Sequence, residues 1–423
     1  MSEFHALFVI GFVAVLAPLL ARLPALIRTP VVVLELVLGI LVGPSGAGWV
    51  TSGGAIEFLG EFGLIFLFFQ AGFEFEFNQG KIGTAPLRVG AIAWLASLGL
   101  TSVFIGSLYI VGLVRTPLLV GLVLPTTSFG ILIPILRQSG DLASDFGRYV
   151  LGAAAIGELG PIILVSVALS REHDYLHQTL LSMVFLATAI EAIFFARSLR
   201  SERLSRMIAR AMGDSSVLPV RISILILLGF ISLANKFGME MVLGAYTAGM
   251  MIAMLTKVEI LQYRLTSIGS GFLIPLFFIT TGVEFDLPAL VTSPANLFRF
   301  ILFCAGFLLI RVPPVLLYTR VLPERDLLPL ALFSSTTLPL VVAMTYLVVR
   351  TGDMLPENAS ALVGAAVISV TVFPTLAILL RSKSEEARPD GVVAIAAYRV
   401  ADLASALFSR FIVFISQKTQ GKP

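Results

Sequence analysis

Glu158 stands in the run GAAAIGELGPII, residues 152 to 163, ten residues after Arg148 and thirteen before Arg171 on an otherwise apolar segment. At 1.5 Å of rise per helical residue, that spacing puts the carboxylate near the middle of a membrane-spanning helix, out of reach of either water layer. An ionised carboxylate at such a depth costs on the order of 3 kcal/mol on insertion scales, so it should face the inside of a helix bundle and bear a proton, hold a cation or meet a basic partner. Arg311, in NLFRFILFCAGFLLIRVPPVLLYT, is the deep basic residue that could serve as charge partner, since a guanidinium keeps its charge in any protein environment. Hydroxyl oxygens are available in two further places: Thr126, Thr127 and Ser128 in PLLVGLVLPTTSFGILIPIL, and Ser334, Ser335, Thr336 and Thr337 in LLPLALFSSTTLPLVV. A carboxylate that has released its proton can bind a small monovalent cation, and one that holds the cation cannot hold the proton. Competition at one site couples the two fluxes when the site opens to one side at a time. The chemistry open to these residues is therefore exchange of a proton for a metal ion carried as cargo, with Glu158 as the shared ligand. Two structural readings stand beside it: a protonated glutamate bonded between helices, and an arginine reaching for the cytoplasmic headgroups.

The elements that must position these groups are membrane helices. The chain has 423 residues, 57% hydrophobic and 13% charged, against roughly 25% charged in an ordinary soluble domain. Apolar runs of about 20 residues, enough to cross about 30 Å of hydrocarbon, recur along most of its length. Thirteen spans are read, at 4-22, 29-43, 56-74, 88-113, 117-137, 147-170, 177-196, 218-236, 239-256, 265-283, 297-319, 327-349 and 359-380. The first has Ser2, Glu3 and His5 where a cleavable signal would have a basic start, so it is expected to stay as a helix. Basic residues crowd alternate loops, with Arg22, Arg28, Lys81, Arg88, Arg137, Arg148 and the run from Arg197 to Arg221 on one side, against Arg115, Arg171, Lys236, Arg299 and Arg350 on the other. The positive-inside rule then puts the N-terminus outside and the C-terminus in the cytoplasm, in the cell (inner) membrane. Cys304 is alone in a span, and neither a phosphate-binding loop nor a Cys/His cluster is present. Enzymatic activity, a resident cofactor or catalytic metal, and a nucleic-acid partner are accordingly not expected.

An internal repeat organises the spans. FGLIFLFFQAGFEFEF from Phe62 aligns with FLIPLFFITTGVEFDL from Phe272 at an offset of 210 residues, which also carries Gly39 onto Gly249, Glu74 onto Glu284 and Thr126-Thr127 onto Thr336-Thr337. A shift of 212 then lays LGAAAIG, from Leu151, over VGAAVIS, from Val363. Spans 1 to 6 and 8 to 13 thus form two halves of opposite orientation, the pattern of many secondary transporters whose site lies between the repeats near mid-membrane. Spans 5 and 12 carry Pro125 and Pro339 near their centres, in breaks that fall at matching repeat positions, where a missing amide donor should unwind each helix and free carbonyl oxygens. Simple kinks, with hydroxyls bonded back one turn, are the plainer alternative.

At these residues the sequence resembles the monovalent cation:proton antiporter family, in the branch that holds NapA-type sodium/proton antiporters and Kef potassium-efflux systems. PVVVLELVLGILVGPSG looks like the family's opening motif, while LGAYTAGMMIA and IPLFFITTGVEFDL match its second-half phrases; the likeness covers about residues 1 to 380. It implies an all-α integral membrane protein of about 13 transmembrane helices, in two inverted-topology six-helix repeats with two unwound crossing helices. It further implies scaffold or dimer helices at about 4-74 and 218-283, core helices at about 88-170 and 297-380, a linker helix at 177-196, an elevator-like slide of the core, and a homodimer. The family's ion-site carboxylate falls on Glu158 and its membrane-embedded basic residue on Arg311. Members commonly have Asp at the first of these positions, preceded by Asp, Asn or Gln, where this chain has Gly157-Glu158. The partners implied are Na+ or K+, H+ and the bilayer; one titrating carboxylate implies electroneutral one-for-one exchange. A non-transporting sensor or regulatory homologue, and an organic-anion symporter on a related fold, are the competing functions.

Other charges are less informative. Glu35 in span 2 could line a funnel, and Glu191 sits near the end of span 7. Glu74, Glu76, Glu284 and Asp286 are placed at span ends, and His173 and His177 on an external loop. The tail, 381-423, is expected in the cytoplasm, where VVAIAAYRVADLASALFSRFIVFI could lie at the inner surface as an amphipathic helix.

Overall fold

The computed structural model describes residues 3–22, 30–114, 116–168, 217–255, 259–285, 287, 294–352 and 354–381. The linker helix expected at 177-196, most of the arginine run and the tail beyond Arg381 lie outside the described residues. The described part is all helical: α1 (Glu3–Leu20), α2 (Val31–Val42), α3 (Gly54–Ile82), α4 (Thr84–Ile110), α5 (Pro117–Val123), α6 (Phe129–Gln138), α7 (Asp145–Ala168), α8 (Leu218–Lys236), α9 (Met241–Leu255), α10 (Glu259–Ile268), α11 (Ile274–Glu284), α12 (Pro294–Leu309), α13 (Glu324–Ser334), α14 (Pro339–Arg350) and α15 (Pro356–Arg381). A π-helical turn, Gly269–Leu273, joins α10 to α11, and a 3-10 turn, Pro313–Tyr318, follows α12. Every expected span other than that at 177-196 falls on these helices. The protein is a multi-pass membrane protein, and its outward faces fit one: Phe4, Phe8 and Phe12 recur every fourth residue along α1 and are all exposed, as an apolar stripe facing lipid should be.

Two expectations shift. The third span was read to end at residue 74, yet α3 continues to Ile82 and stops at Gly83, whose φ of 89° an L-residue rarely adopts. Glu74 therefore lies two turns inside the helix rather than at its end. The π turn before α11 had no expectation at all.

Packing falls into two groups. In one, α3 lies against α9 and α11, α11 against α2, and α9 against α8. In the other, α4 packs on α7, and α15 on α12, α13 and α14. The groups meet where α3 and α9 touch α7 and α3 touches α6, and again where α14 meets α3 and α11, through Arg350 with Glu57 and Glu61 and Tyr346 with Phe277. The repeat is visible in the first group as two matched close approaches. A Cβ on Gly39 would strike the backbone of Ile279 and one on Gly282 that of Leu36; 210 residues away, Gly249 and Gly72 meet Phe69 and Tyr246 in the same manner. Glycine lets these helix backbones touch where lipid offers no hydrophobic drive for association.

Candidate functional site

Both proline-bearing spans are broken as expected. The chain is extended between α5 and α6, and interrupted again at 335–338 between α13 and α14. Pro125 lacks the donor that would continue the first helix, and Pro339 occupies a first helical position, where its missing donor costs nothing. The two breaks cross and bond to each other. The Ser128 amide donates to the Thr336 carbonyl at 2.9 Å, the Thr126 and Thr337 hydroxyls are 2.8 Å apart, and the Thr127 hydroxyl donates to the Ser334 carbonyl at 2.6 Å. Each break is also tied to the following long helix: the Thr127 amide donates to Gly157 O on α7 at 3.0 Å, and the Thr337 amide to Ser369 Oγ on α15 at 3.1 Å. Thr126, Thr127, Thr336 and Thr337 are fully buried, so the backbone groups released by unwinding are satisfied inside the protein rather than in lipid.

Glu158 reaches this crossing from α7. Its Oε2 accepts the Phe129 amide at 3.1 Å, the first N–H of the ten-residue half-helix α6. A helix N-terminus carries roughly half a positive charge, which favours an anion there even in low dielectric. Beside it, Gly130 is exposed, and a Cβ on it would lie 3.2 Å from Oε2 of Glu74. Glu158 and Glu74 thus lie against consecutive residues, Phe129 and Gly130, at the start of α6. Gln70 steadies Glu74 from one turn earlier, with Nε2 to Oε1 at 3.0 Å, and its amide lies 3.3 Å from the exposed Ser270 hydroxyl on the π turn. Two carboxylates from different helix groups thus converge on one half-helix end. Sequence reasoning placed Glu74 at a span end; the uninterrupted FEFNQ that follows it was the signal that the helix goes on.

Arg311 is not where a direct partner of Glu158 would be. It lies between α12 and the 3-10 turn, buried, and its Nη2 donates to Pro125 O at 2.5 Å and to Thr127 Oγ1 at 2.8 Å. Among the described residues no carboxylate comes within 4.0 Å of it. The expected contact is replaced by a dipolar one. Pro125 O lies just past the C-terminal end of α5, and Ser334 O, which holds Thr127, ends α13, so the cation sits beside two helix ends that carry partial negative charge. The crossing divides its charges accordingly: the carboxylate at an N-terminus, the guanidinium at C-termini.

The remaining candidates separate. Ser335 and Thr336 bond back to Ala331 O and Leu332 O, at 2.8 and 3.0 Å, so their hydroxyls are spent at the end of α13. Ser128 Oγ accepts from the Leu338 amide at 3.4 Å, within the crossing. Glu35 is buried on α2, which packs on α1 and α11, and is not brought to the crossing. Glu284, the repeat mate of Glu74, bonds Ser52 and lines a cavity of about 120 Å³ with Tyr346 and Arg350, while Arg350 bridges to Glu57 at 2.7 Å and Glu61 at 2.5 Å.

The chain resembles proteins whose roles are named. The profile of the family described as sodium/hydrogen exchanger, transmembrane, matches residues 11–380. Among curated proteins, YjbQ of Bacillus subtilis (strain 168), provisionally named a Na(+)/H(+) antiporter, is 27% identical over 399 residues, covering 90% of this chain and 63% of its own length. The glutathione-regulated potassium-efflux system protein KefC of Salmonella typhimurium is 26% identical over 391 residues, covering 89% of this chain and 60% of its own. This chain therefore spans about three fifths of these relatives. Among solved structures, the sodium proton antiporter MjNhaP1 from Methanocaldococcus jannaschii superposes with a TM-score of 0.58 over 95% of this chain and 99% of that one, at 15% identity, a likeness of fold.

Proposed function

This chain belongs to the transmembrane sodium/hydrogen exchanger family, and we propose that it exchanges a monovalent cation, Na+ or K+, for H+, with Glu158 as the ligand the two share. The observation that carries this reading is the Glu158 carboxylate held by the Phe129 amide at the start of a broken half-helix, with Glu74 facing it across Gly130. A deprotonated Glu158 offers a cation one charged ligand, and Glu74 adds a second. Thr126 lies in the crossing beside them and supplies a neutral oxygen. Loading a proton removes the charge that holds the cation, so both cannot bind at once.

The two packing groups support alternating access by sliding. In this reading α4 to α7 and α12 to α15 form the moving core, and α1 to α3 with α8 to α11 the scaffold through which two copies pair. Contacts between the groups run along two seams, α3 and α9 against α6 and α7, and α14 against α3 and α11, surfaces along which packed helices can slide. Glu74 belongs to the scaffold and stays behind, so a single carboxylate travels and exchange is one-for-one and electroneutral. The loop charges favour an external N-terminus and a cytoplasmic C-terminus in the cell membrane.

The test is purified protein in liposomes loaded with a pH dye, with Li+, Na+, K+ and Rb+ added in turn. One or more of these ions should collapse an imposed proton gradient, at a rate indifferent to an applied membrane potential. Activity should fall at low pH, where protons exclude the cation, and at high pH, where the proton leg fails. Glu158→Gln should stop the exchange with every ion; undiminished flux in that variant removes the proposal.

A further inference from the structure

We propose that Thr127 is the residue that positions Arg311, anchoring it away from Glu158, and that position 157 is glycine because Thr127 needs the room. Thr127 lies on the extended stretch between α5 and α6, and its groups are spent on three elements at once. Its amide donates to Gly157 O at 3.0 Å, its hydroxyl donates to Ser334 O at 2.6 Å, and the same oxygen accepts from Arg311 Nη2 at 2.8 Å. The hydroxyl's one proton and a lone pair are thereby used inside the protein, which makes it a poor ligand for a passing cation. Pro125 O, the other acceptor of Arg311, is itself held by Trp94 Nε1 at 2.8 Å, so the guanidinium is seated on a fixed pair of oxygens.

Gly157 fits this seat. A Cβ there would fall 2.6 Å from Thr127 Oγ1, 2.9 Å from Thr127 Cβ and 3.2 Å from Arg311 Nη2. Any side chain at 157 would push Thr127 off the position from which it holds the arginine. The consequence concerns the site next door, and it rests on the reading of Glu158 given above. A guanidinium released from its seat has Glu158, one residue along α7 from Gly157, as the nearest strong acceptor on that helix. Once paired with it, the arginine would occupy the carboxylate and exclude both cargo ions.

The experiment compares variants in the same liposomes as wild type and Glu158→Gln. Thr127→Val keeps the shape and removes the hydroxyl, leaving Arg311 Nη2 with Pro125 O alone. The half-saturating cation concentration should rise roughly tenfold or more, because the freed arginine competes for the carboxylate by the factor that goes with losing one hydrogen bond to a charged group, while the order of preference among Li+, Na+, K+ and Rb+ stays as in wild type. Thr127→Ser, which keeps the hydroxyl, should be close to wild type. A changed order of preference would make Thr127 a cargo ligand and overturn the proposal, as would a Thr127→Val variant whose half-saturating concentration matches wild type.

A second pair decides the matter even if the valine variant does not fold. Gly157→Asn should lose exchange, and adding Thr127→Gly should restore a large part of it, because removing Oγ1 and Cβ clears the space and the new carboxamide can accept from Arg311. Alanine at 127 would not serve, since its Cβ would still lie 2.9 Å away. A double variant no better than Gly157→Asn alone would overturn the proposal. If instead Glu158→Gln still exchanges, the assignment of Glu158 fails separately; the anchor is then judged by melting temperature, which should drop for Thr127→Val relative to Thr127→Ser, and equal values would sink it.

Discussion

The two halves of the molecule build the same crossing and load it differently. Gly157 and Glu158 on α7 stand where the repeat puts Ser369 and Val370 on α15, 212 residues later. In the first half the unwound segment finds a backbone carbonyl at 157 and a carboxylate at 158; in the second it finds a buried hydroxyl at 369 and an aliphatic side chain. Glu74 and Glu284 differ in the same sense. The first lies against the start of α6 beside Glu158, and the second bonds Ser52 at the rim of an open cavity. Inverted duplication therefore supplies two broken helices, each of which the other needs for its hydrogen bonds, while ionisable groups are kept at one of them. Two acidic sites facing each other across the crossing would bring like charges together in low dielectric, where repulsion is strongest. One half carries the charge and the other holds the geometry.

The strongest way to break this contrast is to move the charge. Glu158→Gln should lose exchange beyond detection, and Val370→Glu combined with it should not bring exchange back, because Glu284, the second half's counterpart of Glu74, is engaged by Ser52 beside Arg350. Flux recovered in the double variant, read with the pH dye, would show that the halves are interchangeable. Glu158→Asp keeps the charge on a shorter stem and should retain exchange at reduced rate.

The carboxylate, the helix count apart from the linker, both breaks and the repeat were legible in the sequence, since each is a local matter of hydropathy, proline or spacing. The partner of Arg311 was not. Its depth was plain from its place in the apolar run NLFRFILFCAGFLLIRVPPVLLYT, but hydropathy says nothing about direction, and the acceptors that took it are a backbone carbonyl of Pro125 and a threonine hydroxyl, neither of which announces itself as a countercharge. Glu74 was misplaced for a similar reason. A carboxylate ends an apolar run whether the helix stops there or turns that residue inward, and only the continuation to Ile82 settles the difference. Gly157 read as a missing polar neighbour; its meaning lies in the 2.6 Å between a Cβ it does not have and Thr127.

A smaller effect is expected from the paired acids outside the crossing. Glu74→Gln keeps the bond to Gln70 and removes one charge near the cation, an interaction worth about 1–4 kcal/mol at the effective dielectric of such sites. Exchange should survive with apparent cation affinity weakened roughly tenfold or more. Glu284→Gln keeps the bond to Ser52 and lies where solvent and Arg350 share the field, so its affinity should stay within about twofold of wild type. Equal losses in the two variants would mean that Glu284 belongs to the transport path as much as Glu74, and the asymmetry between the halves would have to be drawn elsewhere.

The smallest effect belongs to the second half's own contribution. Ser369 Oγ accepts the Thr337 amide at 3.1 Å and lies 2.7 Å from the Thr337 carbonyl, so one hydroxyl satisfies both backbone groups of a residue in the second break. Ser369→Ala leaves these groups buried without that partner, at a cost of about 1–3 kcal/mol, and the variant should melt a few degrees lower. Its exchange, measured per folded molecule, should be nearly unchanged, because Thr337 is still held by its 2.8 Å contact with Thr126 and no charge has moved. Ser369→Gly, which recreates the first half's residue, should behave in the same way, since a glycine carbonyl suffices at 157 but the amide of Thr337 is aimed at a side chain. If either variant lost exchange while keeping its melting temperature, the second crossing would take part in ion handling directly, and the division between a charged half and a supporting half would fail.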